Sequence, residues 1–154
     1  MHATKSKLAR ELAAREVDIL RLKADRFPTD LTHRLELGYK LMKADQIDAA
    51  IAELQQVRKD DKLKGKAALF LGACFRKRNN WRLAQRNYEE ALTALAATDE
   101  PARKEVLYQL AVIAAENGDA DRARDLGHEL ASIDFAYKGI GELLDKWEAA
   151  KAEG

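Results

Sequence analysis

A single cysteine, Cys74, in 154 residues excludes a disulfide framework and any zinc site built from several thiolates. Two prolines and eight glycines leave little of the turn punctuation that a sheet protein needs, and Val, Ile and Thr together number only 15. A β-sheet architecture is disfavoured on both counts. The longest uncharged stretch, Val106 to Ala115, is about half of what a bilayer-spanning helix requires. Lys5, Lys7, Arg10, Glu11, Arg15, Glu16 and Asp18 break up any apolar leader core near the start. The expectation is a chain that stays out of the membrane, in the cytoplasm, where a lone thiol in an apolar segment remains reduced. Alanine (28) and leucine (21) are plentiful instead, and the 47% hydrophobic content is too high for a disordered chain. These numbers point to an all-α protein large enough to bury a core of its own.

Apolar residues recur at helical spacing almost from end to end. Leu8, Leu12, Ile19 and Leu22 mark a first helix, stopped by Phe27-Pro28-Thr29-Asp30. Further helices are predicted over residues 31–43, 47–59, 63–78, 81–97, 102–117, 120–132 and 137–152, about eight in all. Thr98-Asp99-Glu100-Pro101 is a strong start signal, combining capping side chains with a proline in the first turn. Asn79-Asn80 and Gly118-Asp119 supply tight turns between helices.

The chain also repeats itself. Leu37-Gly38 recurs 34 residues later as Leu71-Gly72, and in the same register Leu41 matches Phe75, Ala50 matches Ala84, and Leu54 matches Tyr88. A third copy, offset by 39 residues, contributes Leu110-Ala111, Gly118-Asp119 and Ala123. The five extra residues fall near the Thr98 to Pro101 loop, where added length costs least. Small residues at such positions let helices cross closely, and large ones fill the space beside them.

This period and these residue classes resemble the tetratricopeptide repeat, a helix-turn-helix unit of 34 residues. The resemblance implies a right-handed α-solenoid of antiparallel helix pairs. Its repeats would be 31–64, 65–98 and 104–135, preceded by a helix (1–30) that is half of an earlier repeat. Residues 136–154 would form a capping helix, with Leu143, Leu144 and Trp147 covering the last repeat.

No phosphate loop, nucleophile elbow or paired-carboxylate motif is present. His2, His33 and His128 are far apart, and Cys74 reads as a small buried hydrophobe. The chain is expected to be no enzyme and to use neither metal nor cofactor. In tetratricopeptide arrays the first helix of each repeat lines a concave groove that holds a partner segment. The resemblance assigns to that groove Leu35, Tyr39, Met42, Leu69, Phe70, Arg76, Tyr108, Gln109 and Val112. Members that grip acidic chaperone tails carry Lys, Asn and Arg at five groove positions. Leu35, Tyr39, Phe70, Glu105 and Gln109 stand there instead, so an apolar or helical protein segment is the expected ligand. The competing expectation is that the protein covers this band itself, with its first helix.

Charge is unevenly spread: residues 58–86 carry a net +8 and residues 87–154 a net −8. Lys62, Lys66, Lys77, Arg78, Arg82 and Arg86 form a candidate patch for an acidic partner or for self-association. Nucleic acid binding through segment 58–86 is an alternative function, disfavoured by the acidic third beside it. An oligomerisation or structural module of a larger protein is another.

Overall fold

The computed structural model describes residues 2–153, with side chains from residue 4 onward. Its elements are α1 (His2–Arg26), α2 (Leu31–Lys43), α3 (Ile47–Val57), α4 (Lys64–Lys77), α5 (Trp81–Ala94), α6 (Glu100–Glu116), α7 (Ala120–Ile133) and α8 (Ile140–Glu153). A 3-10 turn, Tyr137–Gly139, leads into α8. No strand occurs among the described residues. The fold is the all-α helical repeat expected from the sequence.

The sequence repeat becomes a repeated turn. Asp45, Asn79 and Gly118 each take a left-handed backbone conformation, with φ of 63°, 59° and 81°. Asp, Asn and Gly tolerate this region best. After each of them the chain closes the same bond: the N–H groups of Gln46, Asn80 and Asp119 donate to the carbonyls of Leu41, Phe75 and Ala114, all at 2.9 Å. This helix-ending loop satisfies carbonyls that would otherwise be orphaned. Helix starts are equally local. Asp30, Asn80, Asp99 and Asp119 accept hydrogen bonds from the N–H groups of Thr32, Leu83, Ala102 and Arg122.

The pairs α2–α3, α4–α5 and α6–α7 pack most extensively, and each second helix also packs on the next first helix. Two hydrophobic clusters result. One is built on Leu37, Leu41, Leu54 and Leu71, the other on Tyr88, Leu107, Leu110 and Leu130, and Phe70 and Phe75 pack against both. First helices touch directly, α2 with α4 and α4 with α6, whereas packing between second helices is slighter. Second helices are tied instead by ion pairs, Arg58–Glu90 at 2.7 Å and Arg122–Glu89 at 3.2 Å. The first helices therefore form the inner, concave side.

At the end of the array, α8 docks on α7. Gly127, which stands where earlier repeats carry large residues, makes room: a Cβ there would lie 2.7 Å from Leu144 and 3.1 Å from Trp147.

Three expectations need correction. Leu8, Leu12, Ile19 and Leu22 are exposed, and α1 instead buries Val17, Leu20 and Ala24 against α2. Helix α1 thus packs on α2, with Arg21 reaching Glu53 of α3, and leaves the concave side clear. The fifth helix stops at Ala94, because Leu95 turns to extended backbone (ψ 140°) and buries its side chain in the core. The third helix likewise ends at Val57, where Asp60 turns the chain by accepting from the N–H groups of Lys62 and Leu63.

Candidate partner-binding face

Helix α4 lies at the centre of the concave side and sets its character. Lys66, Phe70, Ala73 and Lys77 fall on one face at helical spacing. Phe70 meets Tyr39 of α2 with ring centroids 5.0 Å apart, within the range of favourable aromatic pairs. The Lys43 ammonium sits 5.5 Å from the Tyr39 ring centroid, a cation–π distance. Lys66 and Lys77 are exposed and have no ion-pair partner among the described residues. The α2–α4 half of the face is thus a half-buried aromatic pair bordered by Lys43, Lys66 and Lys77, with exposed Glu36 one turn before Tyr39.

The α6 half is different. Tyr108 packs edge-on against Tyr137, centroids 6.1 Å apart, beneath the Lys138 ammonium at 5.2 Å. The Tyr137 hydroxyl donates to Glu105 at 2.6 Å, and Lys138 and Gln109 donate to the same carboxylate at 2.6 Å and 2.8 Å. Burial alone would raise the Glu105 carboxyl, but hydrogen bonds from Gln109, Lys138 and Tyr137 outweigh it and hold it below its ordinary value. Arg76 makes a two-point pair with Glu116, at 2.7 Å and 3.3 Å, which holds the Glu116 carboxyl down as well.

The candidates from the sequence therefore separate. Tyr39 and Phe70 come together and face outward in part. Leu35, Met42 and Leu69 retain only 9%, 6% and 9% of their exposure and belong to the seams between helices, so they offer a ligand almost no surface. Arg76, Tyr108 and Gln109 are already engaged within the chain, and Val112 is half-buried. The self-covering expected of the first helix is done, at the opposite end, by Tyr137 and Lys138. Nothing in the local sequence around Tyr108 announces this cover. It depends on a positive φ at both Lys138 (45°) and Gly139 (71°), which folds the tail back over α6.

The basic candidates do not form one patch. Lys62 lies in the α3–α4 connection, Lys66 and Lys77 on the concave face of α4, and Arg82 and Arg86 on the outward side of α5. Arg78 reaches Asp48 at 3.5 Å, and Arg82 stacks 5.3 Å from the Trp81 ring centroid. Arg86 lines an outer cavity of about 520 Å³ together with Arg58, Lys64, Glu89 and Glu90, so both signs of charge border it.

Cys74 is fully buried, and burial pushes its thiol up to about 11, away from the range of a reactive thiolate. His33 lies 3.8 Å from Asp30 and His128 3.1 Å from Glu148, while the side chain of His2 lies outside the described residues. Among the described residues, no group of three His, Cys, Asp or Glu side chains is placed to hold a metal ion. No helix among them is long and apolar enough to cross a membrane.

The duplicated turns, the close crossings at Gly38, where a Cβ would lie 2.6 Å from Leu54, and at Gly72, and the inner row of first helices agree with comparison to known families. The family model for the tetratricopeptide repeat matches residues 35–84 and 75–134, more than half of the chain. The chain belongs to the tetratricopeptide repeat family, whose repeats generally mediate protein–protein interaction and are typically non-catalytic scaffolds. No curated protein matches it.

Proposed function

We propose that the chain is a non-catalytic interaction module that holds a segment of a partner protein along the α2–α4 half of its concave face. The observation that carries this reading is the Tyr39–Phe70 pair, 5.0 Å between centroids, set among Lys43, Lys66 and Lys77. Aromatic side chains supply large contact area at low entropic cost and dominate binding hot spots. The lysines beside them select against basic segments and favour acidic residues next to an apolar anchor. The preferred partner is therefore a segment, helical or extended, that carries both. Tyr39 is the principal anchor, because it packs against one hydrophobic cluster whereas Phe70 packs against both.

The test is selection from a displayed peptide library, followed by calorimetry of the selected peptides. Tyr39→Ala should weaken binding by about 1–3 kcal/mol, the usual cost of truncating a hot spot, with affinity compared well below the lowered melting temperature that the lost packing on Phe70 entails. Joint replacement of Lys66 and Lys77 by Ser should remove the preference for acidic residues. Selected peptides that bind Tyr39→Ala and the wild type equally would refute the assignment.

A further inference from the structure

The seam where α3, α4 and α5 meet is built differently from the seams before and after it. One repeat earlier, Glu53 of α3 accepts from Arg34 of α2 at 2.5 Å and lies 3.7 Å from Arg21 of α1. At the offset of 34, the places of Glu53, Arg34 and Arg21 hold Asn87, Ala68 and Gln55. In the third repeat, at the offset of 39, the places of Ala68 and Asn87 hold Leu107 and Leu126, and that seam is apolar. The middle seam is neither paired nor apolar. Asn87 keeps only 6% of its exposure and spends its Nδ2 on the Leu83 carbonyl at 2.8 Å. Its Oδ1 is buried with no hydrogen-bond partner among the described residues. Such an acceptor costs stability until a donor reaches it. Where Arg34 fills its seam, Ala68 stops at a methyl group. Ala68 lines the outer cavity of about 520 Å³, and Asn87 and Gln55 line a second of about 290 Å³. Arg58, Arg86 and Glu90 border both.

We propose that this seam is a binding site for a small carboxylate that also carries an amide N–H. The two ends of such a molecule answer the two groups that the seam leaves unspent. Asn87 Oδ1 needs a donor. Asn87 is the uncharged counterpart of Glu53, so a neutral amide N–H suits it where a guanidinium serves Glu53. Arg86 is exposed, lines both cavities and has no ion-pair partner among the described residues. The carboxylates on the same walls are taken, Glu90 by Arg58 at 2.7 Å and Glu89 by Arg122 at 3.2 Å. A guanidinium can hold a carboxylate at two points, which gives the anionic end its place. Leu71, Phe75 and Leu83 line the smaller cavity with Asn87 and suit a short apolar linker between the two ends. The larger cavity falls within the range, about 300–1,000 Å³, of pockets that hold small molecules. The site lies on the outer side of the array, apart from the concave face, and is independent of what that face holds.

The experiment is calorimetric titration of the full chain with three matched probes. Succinamate carries both an amide and a carboxylate, succinamide lacks the carboxylate, and succinate lacks the donor. Succinamate should bind, and each of the other two should bind about tenfold more weakly or worse, the loss expected when one hydrogen bond to a charged or buried group goes unmade. Arg86→Gln, at an exposed position that leaves the helical circular dichroism intact, should bring succinamate down to the level of succinamide. The double variant Ala68→Arg/Asn87→Glu, which writes the Arg34–Glu53 pair into this seam, should fill the site and abolish binding. A short peptide ending in a free carboxylate presents the same two groups. If it binds more tightly than succinamate, the natural source is a chain end, and if more weakly, a free small acid. Absence of heat with succinamate at millimolar concentrations would show that water alone serves Asn87 and would overturn the proposal. So would unchanged succinamate binding in Arg86→Gln or in the folded double variant.

Discussion

A Cβ built on Gly72 would stand 2.7 Å from Cε1 of Tyr88, closer than real carbon contacts allow. The same relation recurs one repeat earlier between Gly38 and Leu54, at 2.6 Å. Tyr88 is a rigid buried ring, while Leu54 can rotate its branch. Gly72→Ala should therefore cost about 1 kcal/mol even after the helix-propensity gain of alanine is credited. Gly72→Leu and Ala84→Leu should cost about 3 kcal/mol, and Gly38→Ala less than Gly72→Ala. Urea unfolding of the four variants checks the order. Equal stabilities for wild type and Gly72→Leu would contradict the crossing described.

Acid should loosen the join between α6 and the tail. The Glu105 carboxyl is held below its ordinary value of 4.5 in the folded chain, so its contribution is complete above that pH and is lost as pH falls through the depressed value. Glu105→Gln should cost about 1.5–3 kcal/mol at neutral pH, the range for hydrogen bonds to a charged group. It should also flatten the loss of stability on acidification below pH 4.5. A variant that keeps the wild-type acid slope would show that other carboxylates carry it.

The last helix should behave as a lid on the array. Leu144 is buried and, with Trp147, closes on Gly127. Leu144→Ala should cost about 2–4 kcal/mol. Ending the chain at Ile133 should uncover Leu126 and Leu130 and produce binding of a hydrophobic dye. A shortened chain that is equally stable and dye-silent would rule out the capping role.

At the turns, Asn79 takes φ 59° without being glycine. Asn79→Ala should lower stability by about 1 kcal/mol, since alanine lacks the local tolerance of asparagine for this region, and Asn79→Gly should hold or raise it. Thermal melts of both variants read the difference directly. An alanine variant as stable as the glycine one would argue against strain at this turn.

Much of this architecture was legible because the repeat writes the same physics several times. Gly38 and Gly72, Ala50 and Ala84, and the turn residues Asp45 and Asn79 each occur at the offset of 34. What stayed hidden depended on which of two equivalent sides a neighbour takes. On α1, Leu8, Leu12, Ile19 and Leu22 are the more hydrophobic stripe, yet α2 packs on the side of Val17, Leu20 and Ala24. Alanine carries little hydrophobic signal and much close packing, so leucine-weighted patterns misjudge such a face. Leu35, Met42 and Leu69 lie in the seams and not in the groove for a related reason. The angular step from groove to seam is small on a helix, and the seam takes the residues nearest its edge. The cover over Tyr108 comes from residues about 30 positions later in the chain, through a backbone reversal at Lys138 and Gly139.

The two hydrophobic clusters join where Phe70 and Phe75 pack against both. A stacked array has mostly nearest-neighbour contacts, so its unity in melting depends on how strongly adjacent units are coupled. These two rings work as a clutch between the halves. While they are engaged, the chain should melt in one step. Slackened, the halves would let go separately, and amide exchange would sort α2 and α3 from α6 and α7 into different opening energies.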